Sequence, residues 1–295
     1  MTSGAIRRLG FIGLGVMGGR MCRNLAQKSG LPVVAYDLDP SRAAALAPAG
    51  VEAAASIAEV VARADVIFLC VPGEPQVRAV CLGAGGVVEH ARAGQTVVDM
   101  TTATPEVDRE VAAALASKAA DFADAPVAKG VPSAEDGTLA ITVGASAAVL
   151  ARIEPWLRCM GTDISHCGDV GTGQVMKLMN NMLIAENVSA IAEAMAIATR
   201  AGVPRSRVFE ILSKGSGDSF AMRRHGSYMT TGEYPDDMFP TTYQMKDVGY
   251  ALALAESVGV DAEGARVAQR RLAASVEHGW GHLYAPVMYR LFEEQ

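Results

Sequence analysis

The chain has 295 residues, half of them hydrophobic, and a formal net charge of −6. This length accommodates two domains with a large shared core, and the acidic balance argues against a nucleic-acid partner or a basic membrane-binding surface. The five cysteines contain no Cys-x-x-Cys pair and the five histidines do not cluster, so we expect no metal site and a reduced, cytoplasmic protein. No segment approaches the eighteen uninterrupted apolar residues of a membrane span, and the N-terminal apolar run lacks the continuity of a signal peptide.

The first motif follows a short apolar strand. Leu9–Ile12 leads into a Gly-x-Gly-x-x-Gly turn, and a helical pattern near 16–29 comes next. This arrangement is typical of dinucleotide binding, because the glycines permit the turn, the approach of a pyrophosphate and close packing of the helix. The N-terminus of the helix also favours phosphate. We therefore predict that the cofactor lies against Gly13, Leu14, Gly15, Val16, Met17 and Gly18.

A carboxylate at the end of the second strand indicates which dinucleotide binds. The strand Val33–Tyr36 is followed by Asp37, with Asp39 nearby and Arg42 as the first cation after it. A carboxylate at this place accepts hydrogen bonds from ribose hydroxyls and repels a 2′-phosphate, which favours NAD over NADP. Two alternatives stay open: Asp37 only begins a turn, or Arg42 reaches a 2′-phosphate.

From Leu9 to about His166, apolar runs alternate with alanine-rich helical patterns. This alternation is typical of a twisted, largely parallel sheet with helices on both faces. The run Val66–Val71 has no polar alternation, as expected for a central strand that is buried on both faces. The other predicted strands are Leu9–Ile12, Val33–Tyr36, Thr96–Met100, Phe122–Ala125, Leu139–Val143 and Thr162–His166, with helices near 16–29, 40–48, 56–63, 75–91, 105–119 and 146–159.

The pattern changes after the glycine-rich segment 168–173. Residues 174–200 form one long, almost wholly apolar helical pattern, and a helix that is hydrophobic nearly all round is a buried one. We therefore predict a Rossmann-type domain, residues 1–169, followed by an all-α domain, residues 170–295, joined by this long buried helix. Because the helix has little core of its own around it, we expect a homodimer or homotetramer. Further helices are predicted near 205–214, 217–229, 241–258, 261–279 and 283–293.

Two places along the chain carry polar groups suited to catalysis. Ligands of such sheets lie beyond the carboxyl ends of the strands, where Thr102 either binds the nicotinamide ribose or caps the helix that starts at Pro105. Lys177 lies among apolar neighbours on the long helix, with Asn181 four residues later on the same face. Burial lowers the pKa of an ammonium group, so Lys177 is a candidate acid and base that Asn181 would orient. A structural lysine that extends its ammonium to water is the alternative.

A third place is the loop of small residues after Asp124. Ala128 and Gly130 offer backbone N–H groups to a substrate carboxylate, and Lys129 between them adds positive charge. The alternative is an ordinary surface loop with a solvated lysine.

Together these motifs resemble those of the β-hydroxyacid dehydrogenases, the group that includes the 3-hydroxyisobutyrate dehydrogenases and the tartronate semialdehyde reductases. The matching stretches are 10–18, 124–127, 171–181 and 246–247, so the resemblance covers the whole chain. It implies that Lys177 is the catalytic acid and base and that Asn181 is its partner in the substrate site. It implies that Lys246 reaches the nicotinamide end of the cleft with Asp247 beside it, in contact with substrate. The cofactor-lining positions that it implies are Val71, Pro72, Gln76 and Thr102.

One departure from the family pattern concerns the substrate loop. The family's loop usually reads Ser-Gly-Gly, where the hydroxyl and the amides hold the carboxylate, whereas this chain has Ala128-Lys129-Gly130. Relatives that act on sulfolactaldehyde resemble this chain in carrying a cation, an arginine, at the position of Lys129. We therefore expect a substrate with a second or stronger anionic group: a dicarboxylate, a sulfonate or a phosphate.

The resemblance predicts the reversible NAD-dependent oxidation of a small 3-hydroxy acid to its semialdehyde or ketone. One alternative is a reductase of an anionic aldehyde such as sulfolactaldehyde or tartronate semialdehyde. Another is a catalytically silent NAD-binding protein, which the presence of both Lys177 and Asn181 disfavours. Imine-reducing relatives lack the lysine, so its presence favours a carbonyl and alcohol couple.

Overall fold

The computed structural model describes residues 5–293, and the chain divides into two compact units, Met1–Lys177 and Leu178–Gln295. The predicted domain limits, 1–169 and 170–295, stay predictions, and their outermost residues lie outside the described part. The strands of the first unit are β1 (Leu9–Ile12), β2 (Val33–Tyr36), β3 (Val51–Ala53), β4 (Val66–Leu69), β5 (Thr96–Asp99), β6 (Asp121–Asp124), β7 (Val127–Ala128), β8 (Leu139–Gly144) and β9 (Gly161–Gly168). Its helices are α1 (Gly18–Lys28), α2 (Pro40–Ala44), α3 (Ile57–Arg63), α4 (Glu74–Leu82), α5 (Val87–His90), α6 (Pro105–Ala116), α7 (Val131–Asp136) and α8 (Ala147–Leu157).

The strands of the first unit form one sheet in the order β3-β2-β1-β4-β5-β6-β8-β7, with β9 paired to β8. The strands from β3 to β6 are parallel to their neighbours, whereas β8 is antiparallel to β6 and to β7. The order reverses between β1 and β4, which creates the crevice where ligands of such sheets bind. The predicted Rossmann-type fold is confirmed.

Helices cover both faces of the sheet because alternate residues of each strand point to opposite sides. Leu9 and Phe11 of β1 pack on one side with Leu25 of α1. Ile12 belongs to a second cluster on the other side, with Val60 of α3. All four residues of β4 are buried, as its unbroken apolar run predicts.

Some element predictions in this unit are wrong. The short strand β3 was not expected, because Val51 alone among its residues is buried and no apolar run marks it. The predicted strand 66–71 ends at Leu69, since the Val71 N–H donates to the Thr101 hydroxyl, 3.1 Å away, instead of to a neighbouring strand. The predicted helix 75–91 is two helices, α4 and α5, separated by glycines of which Gly85 has a φ of +72°.

The long predicted helix is α9 (Thr172–Arg200), which begins in the first unit and continues into the second. The prediction that it is buried on all sides is wrong within a single chain, because Met176, Leu183 and Ile197 are 49%, 54% and 63% exposed. Within residues 5–293, one helix, α9, has the length and hydropathy of a membrane span, a test that core helices of globular proteins also meet. It carries polar residues such as Lys177 and Glu186, which are costly in lipid.

The rest of the second unit is helical, as predicted. Its core gathers Val188 and Met195 of α9 with apolar residues of the later helices, such as Leu272. The predicted helix 283–293 is instead a 3-10 turn, Ala285–Tyr289, followed by a short α-helix. The helices after α9 are α10 (Arg205–Leu212), α11 (Phe220–Thr231), α12 (Thr241–Ser257), α13 (Glu263–Glu277) and α14 (Arg290–Glu293).

Candidate active site

Two glycines of the turn between β1 and α1 are required by the chain itself. Gly13 has a φ of +91°, and a Cβ atom there would lie 2.2 Å from the Cys70 carbonyl oxygen. A Cβ atom at Gly18 would lie 2.1 Å from the Gly13 carbonyl oxygen. Both distances are far below van der Waals contact, so the tight turn and the close packing of α1 exclude any side chain at these positions.

Gly15 differs from the other two because nothing in the chain requires it to lack a side chain. The heavy atom nearest to a Cβ atom there would be Arg42 Nη1, at 3.7 Å, an ordinary contact. The first turn of α1 also carries no acidic residue, so its positive end is available to an anion. The turn, including Leu14, Val16 and Met17, therefore forms a cradle that fits the pyrophosphate of a dinucleotide and that a side chain on Gly15 would fill.

Asp37 follows β2 and contacts the glycine turn directly. Its Oδ2 accepts a hydrogen bond from the Leu14 N–H at 2.6 Å, and its Oδ1 accepts one from the Asp39 N–H at 2.9 Å. The turn-forming alternative is thus part of the observed geometry. Arg42 Nη1 lies 3.7 Å from Asp37 Oδ2, so this cation is paired with the carboxylate that is predicted to disfavour a 2′-phosphate.

The segments after β4 and β5 carry the other predicted cofactor contacts. Val71 is half-buried, while Pro72 and Gln76 are exposed. The helix α6 is capped by Thr104, whose hydroxyl accepts a hydrogen bond from the Val107 N–H at 3.4 Å. The alternative role of Thr102 as this cap is therefore wrong, and its place as a cofactor contact stays a prediction.

Three buried carboxyl groups lie on strands β5 and β6 and on helix α6. Asp99 and Asp124 end the adjacent strands β5 and β6 and are paired in register, and Asp108 on α6 is fully buried as well. Burial raises the pKa of Asp99 and of Asp124 to about 6. Burial, with the neighbouring charge of Asp99, raises the pKa of Asp108 well above its usual range.

The sequence patterns placed Asp99 and Asp124 within predicted strands without assigning them a chemical role, and they did not mark Asp108. Its position on a helix face otherwise occupied by Val107, Val111 and Leu115 is a weak signal that could have found it.

The predicted substrate loop is partly a strand. Ala128 belongs to β7 and pairs with Ala140 of β8, while Lys129 and Gly130 follow with φ of +84° and +79°. A left-handed conformation is costly for a residue with a side chain, so Lys129 occupies a position that suits glycine. Its Nζ forms an ion pair with Asp163.

Lys177 lies on the second turn of α9 and is half-buried. Leu178 beside it is fully buried while Met176 is 49% exposed, so the lysine lies at the border between the covered and the exposed sides of the helix. Asn181, four residues later, is 5% exposed.

Asp247 contacts both Asn181, by a hydrogen bond, and Lys246, by an ion pair. The Asn181 Nδ2 donates to Asp247 Oδ2 at 2.6 Å, and Lys246 Nζ lies 2.9 Å from Asp247 Oδ1. Asp247 is 1% exposed, and Lys246 also lies 4.9 Å from the ring centre of Tyr250. The structure thus brings together three predicted site residues, with the Asp247 carboxylate neutralised by the ammonium of its neighbour.

The chain is similar to known proteins along nearly its whole length. Residues 8–168 match the NAD binding domain of 6-phosphogluconate dehydrogenase, and residues 171–291 match the NAD-binding domain of NADP-dependent 3-hydroxyisobutyrate dehydrogenase. The chain is 39% identical to the 2-(hydroxymethyl)glutarate dehydrogenase of Eubacterium barkeri, over 83% of this chain and 81% of that protein. The chain belongs to the β-hydroxyacid dehydrogenase family.

Further relatives agree with this membership. The 2-hydroxy-3-oxopropionate reductase of Escherichia coli is 32% identical, over 94% of each chain. The crystal structure of Mycobacterium tuberculosis 3-hydroxyisobutyrate dehydrogenase with L-serine superposes with a TM-score of 0.88 at 30% identity, over 97% of this chain and 99% of that one. This β-hydroxyacid dehydrogenase is therefore an NAD-dependent oxidoreductase that interconverts a small hydroxy acid and its carbonyl form, as predicted. Within residues 5–293, no group of three metal-ligating side chains is found.

Proposed function

We propose that this dehydrogenase oxidises, reversibly, a small 3-hydroxy acid that carries a second anionic group, with Lys177 as the acid and base. The observation that carries the proposal is Lys129, a cation held at a positive φ in the loop where the family's pattern has glycine. A lysine at a position that costs free energy of folding indicates a function for the cation. The similarity to a dehydrogenase named for a dicarboxylic acid, 2-(hydroxymethyl)glutarate, supports the same substrate class.

In the proposed mechanism, the substrate carboxylate binds at Ala128–Gly130 and the second anion approaches Lys129. The nicotinamide, when bound, supplies the hydride acceptor. The Lys177 amine takes the hydroxyl proton as the carbonyl forms, and in the reverse direction its ammonium returns that proton to the oxygen. Asn181 orients this exchange, and its amide is itself held by Asp247 at 2.6 Å.

The proposed cofactor contacts are the glycine turn, Asp37 and the segments after β4 and β5. The glycine turn holds the pyrophosphate at the N-terminus of α1. Asp37 accepts from the ribose hydroxyls, which favours NAD over NADP because a 2′-phosphate would meet this carboxylate. Val71, Pro72, Gln76, Thr102 and Lys246 complete the proposed cofactor contacts.

A second candidate is the same chemistry used for reduction of an anionic aldehyde. It is favoured by the similarity to the reductase of 2-hydroxy-3-oxopropionate, and the same residues serve it in the reverse direction. We further propose that the protein is cytoplasmic. We also propose that it forms a homodimer or homotetramer, because α9 leaves apolar side chains such as Leu183 and Ile197 exposed.

The catalytic assignment predicts that Lys177→Ala binds NAD⁺ with an unchanged Kd but loses turnover by about 100-fold or more, since general acid–base catalysis contributes about 100- to 10,000-fold. Turnover is followed as NAD⁺ reduction, and Kd by titration of cofactor fluorescence. Lys118→Ala, at an exposed position after α6, is the control and should change neither quantity. A Lys177→Ala enzyme with the kcat of the wild type would exclude the assignment.

The substrate class is tested with 3-hydroxy acids that carry neutral, carboxylate, sulfonate or phosphate tails. We expect a low KM for the doubly anionic acids only. The double variant Ala128→Ser/Lys129→Gly should raise that KM about 10-fold, since loss of a charge-assisted hydrogen bond costs roughly 1.5–3 kcal/mol, and leave the neutral-tailed acids unaffected. An unchanged KM for all acids would show that Lys129 does not contribute to substrate binding.

A further inference from the structure

The side chain of Gln174 joins the first turn of α9 to the segment that follows β5. Its Nε2 donates to the Thr101 carbonyl oxygen at 2.8 Å, and its Oε1 accepts from the Ala103 N–H at 3.2 Å. Gln174 is fully buried. These two bonds hold the backbone on both sides of Thr102, the proposed contact of the nicotinamide ribose.

The first turn of α9 is also held by hydrogen bonds to the carboxylate of Asp124. Its Oδ1 accepts from the Gly171 N–H at 2.6 Å, and its Oδ2 accepts from the Gln174 N–H at 2.8 Å. The first N–H groups of a helix have no acceptor within the helix. Here the acceptor is the Asp124 carboxylate at the end of strand β6.

The packing around this contact leaves the turn little freedom to move. A Cβ atom at Gly173 would lie 2.6 Å from the Thr142 carbonyl oxygen and 2.7 Å from Asp124 Oδ2. The Thr142 hydroxyl donates to the Gly173 carbonyl oxygen at 3.0 Å. The backbone of the first turn of α9 is thus bonded to the sheet. The side chain of Gln174 is bonded to the segment after β5.

We propose that Gln174 is a positioning residue for the reaction: it keeps Lys177 at a fixed position relative to the segment around Thr102. The two residues are three apart on one helix and share a face, so a shift of the Gln174 turn moves Lys177 by the same amount. The inference rests on the proposed role of Lys177. A misplacement of about 1 Å between reacting groups can cost about 100-fold in rate.

The chain offers a matched control in Gln95. This residue is equally buried, and its Nε2 donates to the carbonyl oxygens of Val61 and Ala64 at 2.7 Å each. It immediately precedes β5 and so lies at the amino ends of the strands, the edge of the sheet that does not bind ligands. Gln95→Met and Gln174→Met therefore remove comparable buried bonds, and we expect only the second to affect catalysis.

The test compares kcat, KM, the NAD⁺ Kd and the thermal midpoint of the two variants with those of the wild type. We expect both midpoints to fall, while Gln174→Met lowers kcat about 100-fold with NAD⁺ Kd within about threefold. Gln174→Asn keeps the amide on a side chain one methylene shorter, which should weaken both bonds without adding a buried carboxyl, so it should give an intermediate kcat. It also supplies the comparison if the methionine variant does not fold.

A double-mutant cycle with Lys177→Ala separates positioning from a general loss of structure. If Gln174 acts through Lys177, Gln174→Met should change the residual rate of Lys177→Ala less than about threefold, because the effects of residues that act as a unit do not add. Equal losses of kcat in both backgrounds, or a Gln174→Met enzyme with the kcat of Gln95→Met, would overturn the inference. Full activity of Lys177→Ala itself would instead overturn the proposed function.

Discussion

Among single residues, the buried carboxyl groups of Asp99, Asp108 and Asp124 depart far from what their side-chain type favours. Asp99 receives a hydrogen bond from the Thr101 N–H at 2.8 Å, and Asp124 receives those of Gly171 and Gln174. Asp108 has no such donor on either oxygen, which leaves burial and the repulsion of Asp99 to dominate. Its pKa is accordingly raised well above the usual range of an aspartic acid.

This arrangement predicts a stability that falls as pH rises. Each carboxyl binds its proton more tightly in the folded chain than in the unfolded one, so the free energy of unfolding decreases from about pH 4, the value of a free aspartic acid, to about pH 6, where Asp99 and Asp124 ionise. Asp108, whose pKa is raised as well, contributes a decrease of the same sign. Each pH unit in this range costs about 1.4 kcal/mol per carboxyl.

Asp108→Asn should therefore raise the thermal midpoint at about pH 8 by at least 2–4 °C, the shift expected for roughly 1 kcal/mol in a unit of this size. At about pH 4, where the free carboxyl is largely protonated too, the gain should shrink toward zero. Calorimetric scans across this range measure the difference. Asp121→Asn, at an exposed position on the neighbouring strand, should show no such trend, and a pH-independent difference for Asp108→Asn would contradict the prediction.

Among the elements, the turn from β1 to α1 contains glycines that lack a side chain for two different reasons. Gly13 and Gly18 are constrained by backbone atoms of the chain, whereas Gly15 has space for a methyl group. The fold thus requires the first two, and the proposed pyrophosphate contact would require the third. The same turn is tied to the end of β2 by the bond from Leu14 to Asp37.

This distinction predicts different consequences for the same substitution. Gly15→Ala should fold with a thermal midpoint near that of the wild type and lose NAD⁺ affinity about 10-fold or more, because the methyl group takes the place of the pyrophosphate. Gly18→Ala should lower the midpoint strongly, since a Cβ atom 2.1 Å from the Gly13 carbonyl oxygen forces α1 away from the sheet. Unfolding scans and cofactor titrations distinguish the two, and equal loss of stability in both variants would refute the distinction.

At the scale of the whole molecule, α9 has two different sides. One side forms part of a core within the second unit, through Ala185, Val188 and Met195. The other presents Met176, Leu183 and Ile197, which recur at seven and fourteen residues and so lie along one stripe of the helix. A long apolar stripe that residues 5–293 leave uncovered is typical of a protein-protein contact.

If this stripe is the contact between subunits, the double variant Leu183→Asp/Ile197→Asp should sediment as a monomer where the wild type sediments as a dimer or tetramer. Two carboxylates in an apolar interface lose their hydration without gaining partners. Val258→Asp, at an exposed apolar position after α12, serves as the control and should leave the mass unchanged. Analytical ultracentrifugation that finds the wild type monomeric would exclude the proposed oligomer.

The sequence by itself determined the Rossmann-type order and the family, because the period of apolar residues, the glycine spacing and the strand-end acid are local properties of the chain. It also marked Lys177 and Asn181 as candidates, since polar side chains stand out against an apolar helix, whereas Lys246 and Asp247 were candidates only through the family resemblance. The link from Asn181 through Asp247 to Lys246 could not be read from the sequence, because Asn181 and Asp247 are 66 positions apart along the chain.

Only the tertiary structure decided the rest. The bridge from Gln174 to Thr101 and Ala103 crosses more than 70 residues, and neither end carries a local pattern that predicts it. Burial of Asp108 depends on how α6 packs on the sheet, and the strained backbone at Lys129 depends on the pairing of β7 with β8. In each case the deciding contact joins distant segments, whereas periodicity and spacing describe only neighbours along the chain.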